Sequence, residues 1–364
     1  MTEQLYAIWI SCIPGIGCKK IDRLVQHFGS LPEIFRASEK ALREAAVLKE
    51  KEIRCLINSR NMDKIKYHHE NMEKKGIAFT YLWQADYPKR LSRIDYPPFG
   101  LFYRGNLPDT DQTVLAVVGA RDASHAGKET AGKIGRELAE NGIAVVSGLA
   151  RGIDIAAQKG VLAVAGGKTY GILGCGIDQC YPRQHIESYM LMQEKGGVLS
   201  EYPPGTQPLP YHFPMRNRII SGLSDGILVI EAGKKSGSLI TAEMGLEQGK
   251  DIFVVPGDIY NPSYEGSNAL IQSGAALVTR TRDILDGLGI FLDEDVSEHK
   301  KKCEVMLETT EKIVYSYLSL EPIHLSDLVK ISGFSVQKIM ETLLSMEWKG
   351  VVKHIGNHYY AIVL

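Results

Sequence analysis

The stretches VLAVVGAR (114–121) and IAVVSGLARGID (143–154) each join a buried apolar run to a turn of small residues and an arginine. Similar runs follow at TYGILG (169–174), GVLSE (197–201), GILVIEA (226–232) and IFVVPG (252–257). Runs that are apolar on both faces and separated by helix-length segments are typical of parallel strands covered by helices on both sides. The sequence therefore predicts an α/β, Rossmann-like fold with a mostly parallel sheet of about six strands and a ligand crevice beyond their carboxyl ends.

The length of 364 residues predicts one large core with smaller modules attached. Shifts in composition place a helical N-terminal domain at 1–75, the Rossmann-like domain at 76–288, a charged linker at 289–302 and a compact C-terminal domain at 303–364. The C-terminal pattern of helices, followed by the strand-like VVKHIGNHYYAIVL, predicts a winged helix.

The net charge of −1 excludes nucleic-acid binding through bulk positive charge, so any anion binding must be local. The six cysteines form no CxxC pair and have no histidine at metal-ligand spacing, which predicts a reduced, cytoplasmic, metal-free protein. The sequence shows no signal-peptide pattern and no apolar run of the ~18 residues that a membrane span needs. We therefore expect no membrane partner.

Two features argue against an enzyme that uses a dinucleotide. The turn after the first strand lacks GxGxxG, and the second strand is not closed by an acidic residue that could bind a ribose. Recognisable nucleophile–base pairs are also missing from the sequence. We expect no cofactor and no catalytic residues.

Four turns have the composition of a phosphate site: GAR (119–121), SGLARGID (147–154), FPMRNR (213–218) and KKSGSLITAE (234–243). Glycine permits close backbone approach, helix N-termini offer free N–H groups, and arginine binds phosphate with two hydrogen bonds. Arg216 and Arg218 cannot both face solvent. We expect one to be an internal strut to Asp225 or Glu231, and we favour Arg218 as the ligand-facing residue.

Seven motifs occur in order between residues 100 and 288, and together they closely resemble the DNA processing protein A (DprA/Smf) family. These are VVGAR, SGLARGIDIAAQKG, GILGCGIDQCYP, LSEYPPGTQPL, FPMRNRIISGLSDGILVIEA, SGSLITAE and VVPGDIYNPSYEGSNALIQSGAALV. The resemblance implies a homodimer that binds single-stranded DNA, protects incoming DNA and loads the recombinase RecA during natural transformation. It also implies an N-terminal domain of the sterile-alpha-motif type.

Carried over by motif, the resemblance implies a set of DNA-binding positions that includes a base-stacking aromatic residue. They are Gly119, Arg121, Ser147, Gly148, Arg183, Phe213, Arg216, Asn217, Arg218, Ser236, Gly237 and Ser238. One departure is Pro210, where some relatives have a lysine, so one phosphate contact is expected to be missing or moved.

The flanking modules leave alternatives open. Near the start, the IPGIG turn is typical of a helix-hairpin-helix, which either contacts phosphate through Gly15 and Gly17 or only packs against the large domain. The C-terminal module has five basic and seven acidic residues, which favours a protein-interaction or structural role over duplex reading. Its third helix is expected to bury Ile339, Leu343 and Leu344.

Three functions remain to be compared. The leading one is a recombination mediator that binds single strands and dimerises through NALIQSGAALV (268–278). The main alternative is a nucleoside-monophosphate phosphoribohydrolase of the LOG group, because SGSLITAE distantly resembles its GGxGTxxE turn and would make Glu243 catalytic. A duplex-binding regulator acting through the winged helix is the third.

Overall fold

A computed structural model describes residues 3–290 and 308–363. Six helices occupy the part of the chain before the first strand. They are α1 (Glu3–Ser11), α2 (Cys18–Phe28), α3 (Leu31–Arg36), α4 (Glu39–Glu44), α5 (Glu50–Asn58) and α6 (Met62–Lys74). Side chains of Ser30, Ser38 and Asn61 accept hydrogen bonds from the first turns of α3, α4 and α6, which fixes where these helices begin.

A nine-stranded sheet forms the centre of the molecule. Its strands are β1 (Ala78–Tyr81), β2 (Gly100–Gly105), β3 (Val114–Gly119), β4 (Ala144–Ser147), β5 (Thr169–Ile172), β6 (Gly196–Ser200), β7 (Gly226–Ile230), β8 (Asp251–Val254) and β9 (Ala276–Leu277). The spatial order is β1-β2-β6-β5-β4-β3-β7-β8-β9. The pairs from β6 to β9 are parallel, whereas β1–β2 and β2–β6 are antiparallel. All six predicted strands are present, and the expected α/β architecture with a mostly parallel sheet is confirmed.

Eight helices follow or connect these strands. They are α7 (Lys89–Ser92), α8 (His125–Glu140), α9 (Ile153–Leu162), α10 (Ile186–Glu194), α11 (His212–Leu223), α12 (Gly237–Glu247), α13 (Glu265–Gln272) and α14 (Thr281–Gly287). Strand β3 shows why its sequence is apolar throughout. Val114 and Val118 belong to a buried cluster that contains Ile219 of α11, whereas Leu115 belongs to a second cluster that contains Ile134 of α8. The sheet is therefore covered on both faces.

The chain changes direction across the sheet at β3. It proceeds from β3 through β4 and β5 to β6 on one side, then returns to place β7 on the other side of β3. Open α/β sheets bind ligands in the crevice at such a switch point, beyond the carboxyl ends of the strands. The topology therefore directs attention to the turns that follow β3, β4 and β7.

Residues 308–363 of the C-terminal module form three helices and a small antiparallel sheet. Its elements are α15 (Thr309–Ser316), β10 (Ile323–His324), α16 (Leu325–Ser332), α17 (Val336–Trp348), β11 (Val352–Gly356) and β12 (Tyr359–Ile362). Ile339, Leu343 and Met346 of α17 are buried, but Leu344 is 60% exposed, so its expected place in the core is wrong. Of the predicted linker and the start of this module, residues 291–307 lie outside the described residues.

Candidate nucleic-acid interface

The segment FPMRNR lies inside helix α11, which begins at His212, and not in a loop before the helix. Pro214 is tolerated there because backbone N–H groups in the first turn of a helix have no helical partner to lose. Successive helical residues are rotated by about 100°. Arg216, Asn217 and Arg218 therefore point in three different directions.

A cavity of about 620 Å³ lies at the switch point of the sheet, beyond the carboxyl ends of β3, β4 and β7. Its lining contains eight of the twelve positions expected to bind DNA, which are Gly119, Arg121, Phe213, Arg216, Asn217, Ser236, Gly237 and Ser238. The other four, Ser147, Gly148, Arg183 and Arg218, do not line it. We call this space the switch-point cavity.

Arg216 is the buried strut of the switch-point cavity, with only 4% of its surface exposed. Its Nη1 donates hydrogen bonds to the carbonyl oxygens of Gly148, at 2.8 Å, and Ile172. Its Nε donates to Oδ1 of Asn217 at 3.1 Å. Burial lowers the pKa of Arg216 to about 10, while the nearby carboxylate of Asp154 acts in the opposite direction. The guanidinium thus joins the ends of two strands to α11.

Gly148 is required by this strut. A Cβ atom at position 148 would lie 2.2 Å from Nη2 of Arg216 and 2.7 Å from Oδ2 of Asp154. The backbone N–H of Gly148 also donates to Oδ2 of Asp154 at 3.1 Å. The glycine therefore lets a buried arginine and a buried carboxylate approach the turn after β4.

The expected acidic partners of the strut, Asp225 and Glu231, are bound elsewhere, so that expectation is wrong. Asp225 accepts hydrogen bonds from Nε of Arg90 at 2.8 Å and from the backbone of Val114 at 2.9 Å. Glu231 accepts from the backbone N–H and the hydroxyl of Ser124, at 2.8 and 2.6 Å. Each carboxylate instead fastens the start of a neighbouring element, β3 or α8.

Glu231 also explains why α8 is closed to a cofactor phosphate. In dinucleotide-binding sheets the pyrophosphate lies at the N-terminus of the helix after the first strand. Here that position belongs to α8, and the carboxylate of Glu231 occupies it. The fit is tight, because a Cβ at Gly127 would lie 2.1 Å from Oε2 of Glu231. An internal anion thus takes the place that a dinucleotide phosphate would need.

Arg218 lies on another side of α11, outside the switch-point cavity. Its Nη1 and Nη2 donate to the two carboxylate oxygens of Glu201 at 3.0 and 2.6 Å. This two-pronged pair holds the guanidinium against the turn after β6. Arg216 and not Arg218 lines this cavity, and which of the two arginines contacts a ligand stays a prediction.

The IPGIG turn lines a separate cavity of about 1030 Å³ together with Arg218. Gly15 has the positive φ of +84° that the turn needs. Nζ of Lys20 donates to the carbonyl of Gly15 at 2.8 Å and to Glu52 at 2.6 Å, so this lysine braces the turn from inside. Lys19 lies over the ring of Tyr96 at 3.8 Å.

The N-terminus of α12 opens into the switch-point cavity. Ser236 precedes the helix, and its hydroxyl lies 2.7 Å from that of Ser238. A Cβ at Gly237 would meet no atom within 4 Å, so the space in front of this helical turn is open. Lys234 and Lys235 also line the cavity and are exposed. The predicted phosphate turn KKSGSLITAE begins with these two lysines, but the predicted set of DNA-binding positions leaves them out.

Phe213, which lines the switch-point cavity, forms an aromatic pair with Tyr181, which does not line it. The rings of Tyr181 and Phe213 are 5.4 Å apart at an interplanar angle of 36°. The guanidinium carbons of Arg121 and Arg216 lie 5.8 and 6.0 Å from the centre of the Phe213 ring. Arg183, two residues after Tyr181, is exposed on the same turn. Two guanidinium groups thus lie next to the aromatic ring of Phe213.

Two other residues have no access to the switch-point cavity. Ser147 is fully buried, and its hydroxyl donates to the carbonyl of Val117 at 2.6 Å, so it joins adjacent strands. Glu243 is exposed on α12 and does not line the cavity. The LOG-type reaction, which needs this carboxylate at the site, is therefore not favoured.

Within residues 3–290 and 308–363, no group of three or more His, Cys, Asp and Glu side chains could hold a metal ion. No helix in these two ranges is long and apolar enough to cross a membrane.

Comparison with known proteins agrees with the geometry. Residues 78–289 match the family model of DNA recombination-mediator protein A. The chain is 38% identical to protein Smf of Escherichia coli, over 75% of this chain and 74% of that protein. It is 46% identical to DNA processing protein DprA of Streptococcus pneumoniae, over 55% of this chain and 70% of that protein.

Two solved structures are similar as well. The X-ray structure of DNA processing protein A from Streptococcus pneumoniae has a TM-score of 0.65 at 34% identity, covering 79% of this chain and 98% of that one. DNA processing protein A from Helicobacter pylori, solved to study its single-stranded DNA binding mode, has a TM-score of 0.52 at 29% identity, covering 58% of this chain and 95% of that one. The chain therefore belongs to the family of DNA recombination-mediator protein A.

Proposed function

We propose that the protein is a recombination mediator that binds single-stranded DNA in the switch-point cavity. The observation that carries this proposal is the meeting of a helix N-terminus, several cations and an aromatic pair at one end of the sheet. The Helicobacter pylori relative, whose single-stranded DNA binding mode has been studied, supports the same ligand class.

The phosphate contacts would come from side chains with no competing ion pair. Arg121 and Lys235 line the switch-point cavity, are exposed, and make no ion pair with any described residue. The N-terminus of α12 adds backbone N–H groups and the hydroxyl of Ser236. Arg216 is buried and hydrogen-bonded to backbone carbonyls, so it cannot reorient towards a DNA strand. It contributes a fixed positive charge behind these groups.

The base contact would come from Phe213 with Tyr181. Stacking on an aromatic face accepts any base, since every base has a π-face. The cavity walls offer few side-chain amides that could read base edges, which suits binding without sequence preference. Arg183 follows Tyr181 and extends the cationic surface on this side.

The finer role that we propose is protection of incoming DNA and loading of RecA during natural transformation, in the cytoplasm and as a homodimer. Strand β9 ends the sheet and leaves Leu277 49% exposed, so segment 268–278 offers an unpaired edge for a second copy. The C-terminal module has the element order of a winged helix, and its excess of acidic residues suits contact with protein better than with duplex DNA.

Fluorescence anisotropy with labelled oligothymidine and with a duplex of equal length tests the DNA proposal. We expect preference for the single strand and weaker binding by Arg121→Gln. Arg23→Gln, which removes an exposed and unpaired arginine from α2, is the matched control and should bind normally. Equal affinity for single and double strands, or equal loss in both variants, would contradict the proposal.

RecA loading is tested separately. The assay measures ATP hydrolysis by RecA on single strands coated with a single-strand-binding protein, with bare strands as the reference. We expect the wild-type chain to restore hydrolysis on coated strands and Arg121→Gln to restore it less. DNA binding without any such stimulation would leave the binding proposal standing and remove the loading role.

A further inference from the structure

A second cavity, of about 870 Å³, begins where the switch-point cavity ends. Arg121 and Asp122 line both spaces. From there the second cavity runs between α8 and α9, with Gly132, Ala156 and Gly160 among its lining residues. We call it the α8–α9 groove.

Small residues bring the two helices unusually close. A Cβ at Gly160 would lie 2.1 Å from the carbonyl oxygen of Gly132, so the backbones touch at this point. A Cβ at Gly135 would similarly lie 2.3 Å from the carbonyl of Ala157. Backbone atoms of the two helices therefore form the bottom of the groove, and no large side chain fills it.

Seven arginine and lysine side chains line this groove, and five of them have no acidic partner among the described residues. Among residues 3–290 and 308–363, no carboxylate oxygen lies within 4.0 Å of the following five side chains. They are Arg121, Lys128, Lys133, Arg136 and Lys159. The two acidic residues of the groove are already engaged, Asp122 with Arg151 at 3.8 Å and Glu129 with Lys353 at 3.1 Å.

Repulsion among these unpaired cations is unfavourable unless a polyanion is bound in the groove. Lys133 and Arg136 are three residues apart on one helix, a spacing at which like charges repel. Glu129 and Glu137 lie four residues from Lys133, and Glu140 lies four residues from Arg136. Among the described residues, none of these carboxylates comes within 4.0 Å of either cation, because Glu129 pairs with Lys353 and Glu137 accepts a hydrogen bond from Thr281. His125 lies in the same groove, and both of its ring nitrogens are buried without a hydrogen-bond partner among the described residues.

We propose that the α8–α9 groove carries the continuation of the DNA strand held in the switch-point cavity. This inference rests on the proposed function, and it assigns a second set of phosphate contacts to Lys128, Lys133 and Lys159. Arg121 stands at the junction and would contact the strand as it passes from one space to the other. A duplex or an acidic protein segment would be a different occupant, and the test separates them.

The test compares two triple variants of the full chain. Lys128→Gln, Lys133→Gln and Lys159→Gln together remove the three lysines of the groove that have no acidic partner among the described residues. Lys51→Gln, Lys66→Gln and Lys74→Gln remove three exposed, unpaired lysines from the N-terminal helices and match the change in net charge. Both are measured with oligothymidines of about 5 and about 20 nucleotides, because single-strand sites span about 4–16 nucleotides and the longer strand can reach beyond one site. A duplex and an acidic peptide serve as further probes.

On the long strand we expect the groove variant to reduce the slope of log K against log salt by about 2, because each phosphate contact on a single strand contributes about 0.7. When the salt concentration rises from roughly 50 to 200 mM, wild type should therefore lose affinity by a factor about 20 times larger than the groove variant does. The short strand should bind all three proteins equally.

The other possible results of this experiment each lead to a single conclusion. Equal salt slopes for both triple variants on the long strand would overturn the inference, and so would a loss by the groove variant on the short strand. A loss confined to duplex or to an acidic peptide would assign the groove to that occupant instead. Failure of wild-type protein to bind either oligothymidine would refute the proposed function itself.

Discussion

Replacing Arg216 with methionine removes the strut of the switch-point cavity while keeping most of its apolar stem. The carbonyl oxygens of Gly148 and Ile172 lose their charged donor, and each buried, unpaired acceptor costs about 1–3 kcal/mol. Asp154 also loses the nearby cation that offsets its burial. We expect the free energy of unfolding to fall by about 3–5 kcal/mol. Urea unfolding followed by circular dichroism measures this loss as a lower midpoint at unchanged slope.

Arg121→Gln is the matched comparison, because Arg121 is exposed, its guanidinium lies 5.8 Å from the centre of the Phe213 ring, and it makes no ion pair with a described residue. Its stability should change by less than about 1 kcal/mol. Its affinity for single strands should fall about 10- to 100-fold, since a charge-assisted hydrogen bond contributes about 1.5–3 kcal/mol. The reasoning is refuted if Arg216→Met unfolds at the wild-type urea concentration, or if Arg121→Gln is the less stable of the two.

Four further predictions concern single residues. Phe213→Leu should weaken single-strand binding about 10-fold and Phe213→Tyr should not, because stacking contributes about 1–3 kcal/mol per base; equal loss in both would contradict the stacking role. Glu231→Gln should lower the free energy of unfolding by about 1–2 kcal/mol in urea, since a neutral amide replaces the anion that caps α8; an unchanged midpoint would contradict this. Glu243→Gln should leave single-strand affinity unchanged, and any AMP hydrolysis that this variant abolishes would restore the LOG-type alternative. Burial raises the pKa of Glu311, but hydrogen bonds, chiefly from Lys349, outweigh it and lower the pKa from 4.5 to about 2. The stabilisation from Glu311 should therefore be present above pH 4.5 and be lost as the pH falls towards 2, which the midpoint of its carboxyl NMR shift would show; a midpoint near 4.5 would contradict it.

The parallel strands were predictable because burial on both faces leaves a continuous apolar run in the sequence. Strands β1 and β2 were not predicted, since AFTY and GLFYRG are short, rich in aromatic residues and lie outside the Val/Ile-rich region. They pair antiparallel at one edge of the sheet, where no βα repeat marks them. The winged-helix description and the domain boundaries remain predictions.

For the site, motif order predicted which segments meet, but not where each side chain points. Arg216 and Arg218 are two positions apart on one helix, and only the phase of that helix decides that the first braces the cavity and the second pairs with Glu201. Leu344 was misplaced for the same reason, because the buried stripe of α17 runs through Leu343 and Met346 instead. Helix phase depends on tertiary packing, which a single sequence does not reveal.

Photo-crosslinking tests the central claim most directly, because it reports where the strand lies. An oligothymidine carrying a photoreactive thymine is irradiated with the full-length protein, and the crosslinked peptide is identified by mass spectrometry. The account predicts crosslinks at Phe213 or Tyr181, lost in competition with unlabelled single strand. Crosslinks confined to the C-terminal module, residues 308–363, would contradict it.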